Sequence, residues 1–199
     1  MEDDYNITGK IVLLGESGVG KSSFCHRIKY HSFVENMNST VGCEFISHKN
    51  KTRNGELVKL LIWDSAGQEV FRTFTPQFVR NAAVVLLFDD MTKPSSAKTI
   101  YEFLDYIATP TTVLIVPTKY ELRPLDVNYR RSDIKSKVHK IIHSPPISSK
   151  ENININGLVE HICCIVVKKH MQKKEEREEN ESTLLLNPGK KKKTCCVIS

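Results

Sequence analysis

Eight consecutive residues near the start of the chain have the types and spacing to bind a polyphosphate. They match the pattern Gly-x-x-x-x-Gly-Lys-Ser and are Gly15, Glu16, Ser17, Gly18, Val19, Gly20, Lys21 and Ser22. Glycines let successive backbone N–H groups face phosphate oxygens, and the N-terminus of a following helix adds positive charge. Lys21 would reach the β- and γ-phosphates, and the Ser22 hydroxyl would bind Mg²⁺. We therefore predict a P-loop, extended by Ser23, rather than a glycine-rich turn that binds nothing.

A second group of residues could complete this chemistry. Asp64 follows the apolar run 60–63, where P-loop proteins place a carboxylate that helps to organise Mg²⁺. An Asp after a strand is also a common turn former, so this role depends on the P-loop. Gly67 could turn its N–H toward a terminal phosphate, and Gln68 could orient an attacking water.

The elements that must position these residues alternate between strands and helices. Apolar runs predict strands at 11–14, 41–49, 57–63, 82–88 and 113–116, and helical patterns cover 22–29, 95–107, 132–142 and 155–169. Asn54-Gly55 predicts a hairpin turn, and 30–40 an exposed loop. This order is typical of an α/β fold with a mainly parallel sheet and helices on both faces. The motifs follow successive strands, so they should converge at the carboxyl edge of the sheet.

Length and composition predict one domain with a tail. The 199 residues are 40% hydrophobic and 26% charged, which are ordinary globular values. We place the domain at 1–169 and a disordered tail at 170–199, because the later composition is strongly charged and lacks a core pattern. The six cysteines suggest neither disulfides nor a zinc site, and we expect neither a signal peptide nor a transmembrane run.

Two longer stretches make the chain resemble the Rab family of small GTPases in the Ras superfamily. These stretches, besides the P-loop, are Ser39-Thr40-Val41-Gly42-Cys43-Glu44-Phe45 and Leu61-Ile62-Trp63-Asp64-Ser65-Ala66-Gly67-Gln68-Glu69-Val70-Phe71-Arg72. Phe78-Val79-Arg80-Asn81-Ala82 resembles the segment that follows in that family. The resemblance covers roughly residues 9–169 and is stronger in the first half. It implies a three-layer P-loop fold with about six strands.

The resemblance also implies roles for individual residues. Thr40 matches the threonine that ligates Mg²⁺ and senses the γ-phosphate, so the implied metal ligands are Ser22, Thr40 and Asp64. Gln68 and Lys21 match the catalytic residues. Phe33 would lie over the base, or else is an ordinary loop aromatic. Phe45, Trp63 and Phe78 match the aromatic triad that Rab proteins present to effectors, although core packing is the commoner role of such residues.

The base-reading segments depart from the family pattern. Thr118-Lys119-Tyr120-Glu121 stands where the family has Asn-Lys-x-Asp, and Ser148, Ser149 and Lys150 align with the second base motif. Glu121 carries one methylene more than Asp, which displaces its carboxylate by more than about 1 Å and would weaken a bidentate contact to guanine. Guanine remains the expected base.

The end of the chain fits a lipidated tail. Cys196-Val197-Ile198-Ser199 matches the C-a-a-X prenylation pattern, and a Cys195-Cys196 pair also resembles Rab tails carrying two geranylgeranyl groups. Lys190 to Lys193 would add attraction to anionic lipid. The choice between farnesyl and geranylgeranyl stays open, as does the alternative of cysteines without a lipid.

We therefore expect a lipid-anchored GTP/GDP switch that uses Mg²⁺, hydrolyses GTP slowly and regulates vesicle traffic from the cytoplasmic face of a membrane. Its expected partners are effectors, an exchange factor, a GTPase-activating protein and a prenyl-binding chaperone, and we expect a monomer that does not bind nucleic acid. The alternative is a pseudo-GTPase scaffold. Glu121 favours it, and it is disfavoured by the intact residues Lys21, Ser22, Thr40, Asp64 and Gln68. An ATP-dependent kinase or motor is disfavoured by the small size of the chain.

Overall fold

The computed structural model describes residues 5–40, 42–65, 79–93, 97–105, 107, 111–123 and 134–186. Within these ranges the strands are β1 (Ile7–Leu14), β2 (Cys43–Lys51), β3 (Leu57–Ser65), β4 (Val84–Asp90), β5 (Thr112–Thr118) and β6 (Lys140–His143). The helices are α1 (Lys21–Tyr30), α2 (Ala97–Asp105) and α3 (Ile155–Leu186), with a short 3-10 helix at Tyr120–Leu122.

The six strands form one sheet in the order β2-β3-β1-β4-β5-β6. Every neighbouring pair is parallel except β2 and β3, which form the antiparallel hairpin predicted by Asn54-Gly55. The residues of β4 and β5 are buried throughout, as expected of parallel strands covered on both faces. The predicted α/β fold with a mostly parallel sheet is confirmed.

Helices cover both faces of this sheet. Alternate residues of β1 point to opposite sides, so Ile11 and Leu13 join one core cluster and Val12 and Leu14 join the other. The first cluster includes the apolar residues of α1 and α3, and the second includes those of α2. Gly9 brings α3 close to β1, because an added Cβ would lie 2.5 Å from a methyl carbon of Val166.

The helix predicted at 132–142 is wrong for the described residues 134–142. Residues 134–139 are not helical, and Lys140–His143 forms β6, which pairs in parallel with β5. Val138, which was expected on the apolar side of that helix, is 57% exposed. Two adjacent isoleucines suit an extended strand, and the free edge of β5 supplies the backbone partners that sequence spacing could not reveal.

The last helix is longer than predicted. We expected it to end near Lys169 and residues 170–199 to be disordered, but α3 continues to Leu186. The extension is rich in Lys, Glu and Arg, which are good helix formers, and Lys174 lies 3.9 Å from Glu178 in an (i, i+4) pair. Helix propensity therefore sustains this part of the chain without a core. None of the described helices combines the length and apolarity needed to cross a membrane.

Candidate functional site

The phosphate-binding loop lies between β1 and α1, as predicted. Gly15 follows the last residue of β1 with φ +137°, and an added Cβ there would lie 2.6 Å from the Phe88 carbonyl oxygen. No other residue type fits this position without moving backbone. The loop is thus packed against the end of β4, and its last two residues, Lys21 and Ser22, are the first residues of α1.

The Lys21 side chain folds back across this loop. Its ammonium donates to the carbonyl oxygens of Gly15 and Glu16, both at 2.9 Å, and the residue is buried. Burial lowers the pKa of Lys21 to about 8, against the opposing attraction of Asp64, Cys25 and Glu16. Because burial destabilises the charged form of Lys21, a phosphate that entered the loop would stabilise this cation and raise its pKa.

Three oxygen-bearing side chains meet beside the loop. Ser22 Oγ donates to Asp64 Oδ2 at 2.5 Å, so the 2.7 Å hydrogen bond between Ser22 and Thr40 must be donated by Thr40. Asp64 is fully buried, and its other carboxylate oxygen, Oδ1, has no hydrogen-bond partner within the part of the chain that the structure describes. Burial raises the pKa of Asp64, although the Ser22 hydrogen bond and Lys21 oppose it.

This donor set fits Mg²⁺. Carboxylate and hydroxyl oxygens are the ligands that this hard cation prefers, and an unpaired buried carboxylate oxygen needs a partner that the protein does not supply. The three predicted metal ligands come from α1, the loop before β2, and β3, and the fold brings them together.

A cavity of about 360 Å³ extends from this cluster toward the end of β5. Its lining contains most of the predicted nucleotide-binding residues: Ser17, Gly18, Gly20, Lys21, Ser22, Ser23, Phe33, Thr40, Thr118, Lys119, Glu121, Ser149 and Lys150. Gly15 and Glu16 contribute the carbonyls that hold Lys21. Val19 and Ser148 lie behind the lining and are buried.

The first base-reading segment is fixed to the phosphate loop. Thr118 Oγ1 lies 2.8 Å from the Val19 carbonyl oxygen and 3.1 Å from that of Asp89. Lys119 donates to Asp90 Oδ2 at 2.7 Å. Burial acts to raise the pKa of Asp90, but the hydrogen bonds from Lys119 and Thr92 outweigh it and lower that pKa. The carboxyl end of β4 therefore anchors the base end of the cavity.

Glu121 lines the cavity from the short helix that follows β5. Its Oε2 atom is buried and has no hydrogen-bond partner in the structure. A buried acceptor without a donor costs free energy, about 1–3 kcal/mol, unless a ligand completes it. Of the described residues at this end of the cavity, Glu121 therefore has the buried side-chain oxygen that a ligand would satisfy.

Arg27 holds the second base-reading segment. From α1 it donates to the carbonyl oxygens of Ser149 and Lys150, both at 2.7 Å, and to that of His31 at 2.9 Å. Lys150 in turn donates to Glu35 Oε1 at 2.9 Å. Apart from the local contact to His31, these contacts join residues more than 100 positions apart and connect the two walls of the cavity.

The aromatic residues of the sheet edge are accessible. Phe45 is 50% exposed, and its ring meets that of Trp63 edge-on at a centroid distance of 5.3 Å. The pair lies across the β2–β3 register; Phe45 belongs to neither core cluster, whereas the partly buried Trp63 packs against the second one. Gly67, Gln68, Phe78, Cys195 and Cys196 lie outside the described residues.

Several residues of the site were missed by the sequence analysis. Arg27 and Asp90 position the base end, and the lining also includes Glu35, Met37, Asn38, Ser39 and Leu122. The sequence could have identified Asp90, because it ends a buried strand whose carboxyl end faces the site. It could not have identified Arg27, because the partners of this side chain are backbone carbonyls of distant residues.

Comparisons with known proteins agree with this geometry. A family model described as "Ras family" matches residues 10–168. The Ras-related protein RIC2 of Oryza sativa subsp. japonica is 38% identical over 128 residues, which cover 62% of this chain and 58% of that protein. The Ras-related protein RABA1b of Arabidopsis thaliana is 37% identical over 129 residues, which cover 63% of this chain and 59% of that protein. Rab-22A of Canis lupus familiaris is 34% identical over 155 residues, 75% of this chain and 78% of that protein.

The chain thus spans somewhat under two thirds of RIC2 and RABA1b and more of Rab-22A. The family match covers all six strands except the first three residues of β1, and it includes the whole phosphate loop. From the sheet order, the loop with its buried lysine and the family match together, this chain belongs to the Ras family and is a divergent, Rab-like small GTPase.

Proposed function

We propose that this chain binds GTP and GDP with Mg²⁺ in the 360 Å³ cavity and acts as a switch. The observation that carries the proposal is the hydrogen-bonded chain from Thr40 through Ser22 to Asp64. It joins Thr40, in the loop before β2, to Ser22 and Asp64, the two other proposed ligands of the cation. A triphosphate and its Mg²⁺ would order this loop, and loss of the γ-phosphate would release it.

Hydrolysis would break the bond between the γ-phosphorus and the oxygen that bridges it to the β-phosphate. Water adds to the γ-phosphorus and its proton passes to the phosphate released, leaving GDP. Lys21 would stabilise the negative charge that develops on the bridging and γ-oxygens, and Gln68 is proposed to orient the water. When bound, Mg²⁺ would neutralise part of the phosphate charge.

We expect this reaction to be slow without help, as the family resemblance implies. The described lining of the cavity contains no arginine. An activating protein that supplied an arginine in trans would raise the rate by about 10³ to 10⁵.

Guanine is the proposed base because Glu121 presents an acceptor. Its unpaired carboxylate oxygen suits a base whose adjacent N–H groups donate, and adenine offers no such pair at that edge. Phe33 lines the same cavity and could lie over the base. The longer side chain of Glu121 would make this pairing less favourable than that of Asp.

The surroundings of the site support a signalling role at a membrane. The exposed Phe45 beside Trp63 offers an aromatic surface for effectors. Cys195, Cys196 and the four lysines before them would anchor the chain through lipid and charge. We further propose that the chain regulates vesicle traffic and that it depends on an exchange factor and a prenyl-binding chaperone.

The test is binding of labelled GTP, GDP and ATP to the purified protein with Mg²⁺, followed by single-turnover hydrolysis. We expect GTP and GDP to bind more tightly than ATP and turnover to be slow. Tight binding without turnover would instead support a scaffold, and a preference for ATP would overturn the base assignment.

Glu121→Asp sharpens the same measurement. Because the shorter carboxylate restores the family geometry, we expect guanine affinity to rise roughly tenfold with no change for ATP. Glu151→Asp, an exposed change nearby, is the matched control. Lower guanine affinity in Glu121→Asp would show that the glutamate already fits its base.

A further inference from the structure

A second cavity lies at the amino ends of the parallel strands, whereas the nucleotide cavity lies at their carboxyl ends. Its volume is about 550 Å³, and it is bounded by the first residues of β1, the segment 79–83 before β4, Thr111 before β5, and residues 166–176 of α3. These are the amino ends of the parallel strands. With eight residues in β1, the two cavities stand roughly 25 Å apart.

The lining of this cavity is strongly basic. Lys10, Arg80, Lys169 and Lys173 contribute four cationic side chains, His170 adjoins them, and Glu176 is the one acidic residue of the described lining. Lys10 donates to the Arg80 carbonyl oxygen at 3.1 Å, which fixes its ammonium beside the segment before β4. The charge balance is that of an anion site.

Lys169 is the cation most affected by this crowding. Burial lowers its pKa, and the nearby Lys173 and Lys140 lower it further. Like charges placed together on a half-buried surface repel, so an anion bound between them would relieve the repulsion.

Thr111 adds a hydrogen-bonding group to the lining. The residue is only 9% exposed, and its hydroxyl oxygen is buried with no hydrogen-bond partner among the described residues. Such groups are rare in native structures, where a protein group, water or ligand normally completes them.

We propose that this cavity binds the phosphorylated headgroup of an acidic lipid such as a phosphatidylinositol bisphosphate. Several phosphates match several cations, and a volume above 300 Å³ suits a small polar ligand. The choice of a lipid over a free inositol phosphate rests on the membrane anchoring proposed above. α3 runs from Lys173 to its end at Leu186, about 20 Å away, and the lysines and cysteines of the tail follow within ten residues.

The test uses the full, unlipidated chain and two kinds of phosphatidylcholine vesicle. One contains phosphatidylinositol bisphosphate, and the other contains enough phosphatidylserine to match its surface charge. Soluble inositol trisphosphate is the third ligand. We expect the chain to prefer the first vesicle, because the tail lysines respond to charge alone whereas the cavity recognises clustered phosphates.

Two double variants with the same net charge identify the site. Lys169→Ala with Lys173→Ala removes two cavity cations, whereas Lys168→Ala with Lys174→Ala removes two lysines of the same helix that do not line the cavity. We expect the first variant to lose at least about tenfold in affinity for the bisphosphate vesicle and the second to lose much less.

Three results would overturn the proposal. These are equal binding to both vesicles, equal losses in both variants, and binding of inositol trisphosphate without a vesicle preference, which would assign the cavity to a soluble polyphosphate. GTP binding measured on the same preparations separates this inference from the switch proposal, because intact GTP binding without headgroup binding would reject the cavity proposal alone.

Discussion

The phosphate end and the base end of the nucleotide cavity are built in different ways. The phosphate end is mostly one continuous loop, whose lysine is held by carbonyls five and six residues earlier in the chain. The base end joins segments separated by more than 100 residues, through Arg27 and its carbonyl partners. The first end is therefore specified locally, and the second depends on how α1, β4 and β5 pack. We infer that the base end tolerates a substitution more readily than the phosphate end, and Glu121 departs from the family pattern at the base end.

The largest expected effect is at the phosphate end. Lys21→Ala removes the buried cation of the loop, and we expect nucleotide affinity to fall by about 2–5 kcal/mol, roughly 30- to 5,000-fold. The measurement is equilibrium binding of labelled GTP. Lys29→Ala, an exposed lysine of the same helix, should bind normally. Unchanged affinity in Lys21→Ala would show that the phosphates do not occupy this loop.

Removing the anchor of the base end should have the next largest effect. Arg27→Ala leaves the Ser149 and Lys150 carbonyls without a charged donor, and we expect GDP to dissociate roughly 10- to 150-fold faster, or about 1.5–3 kcal/mol. Arg27→Lys keeps the charge but loses the forked geometry, so it should recover only part of the loss. The control is Arg53→Ala on the β2–β3 turn. If Arg27→Ala releases GDP at the normal rate, the second base-reading segment does not need this anchor.

Thr118 connects the two ends, and its loss should affect stability more than binding. Thr118→Val leaves the Val19 and Asp89 carbonyls without their hydroxyl donor. We expect the free energy of unfolding to fall by about 1–3 kcal/mol in denaturant titrations. Thr8→Val, an exposed threonine of β1, should be nearly neutral. Equal stability of the two variants would mean that Thr118 does not couple the ends.

The smallest effect is expected at the ion pair across the cavity. Glu35 and Lys150 are exposed, and Glu35→Gln should speed GDP release by less than about threefold. The hydrogen bond and charge of Lys150 lower the pKa of Glu35. The ion pair therefore slows GDP release at pH values above the ordinary carboxyl pKa, and this effect is lost as the pH falls below that pKa and Glu35 is protonated. The release rate should thus stay flat from about pH 8 to about pH 5 and rise only under more acidic conditions. A larger effect, or one that appears near neutral pH, would make this pair a main constraint on the cavity.

Much of the fold was predictable because its signals are local. The apolar runs identified β1, β3, β4 and β5, and Asn54-Gly55 identified the hairpin. The described segment 134–142 was predicted incorrectly because the four residues of β6 form a strand only when a neighbour offers backbone partners, and that neighbour is β5. The end of α3 was predicted too early because a charged segment without a core pattern was interpreted as disordered, although Lys and Glu sustain a helix by their own propensity.

The candidate site also contains a part that local sequence predicts and a part that depends on tertiary packing. The sequence alone determined the phosphate loop, because its glycines and lysine act through backbone geometry contained within eight residues. It also predicted a magnesium role for Ser22 and Asp64, and the resemblance to the Rab family added Thr40 to them. Only the tertiary structure decided how they meet, with Ser22 bonded to both of the others, and which residues hold the base end. The contacts of Arg27 and Lys119 join distant segments through backbone carbonyls and a strand-end carboxylate, and no sequence pattern encodes a partner whose proximity arises only from packing.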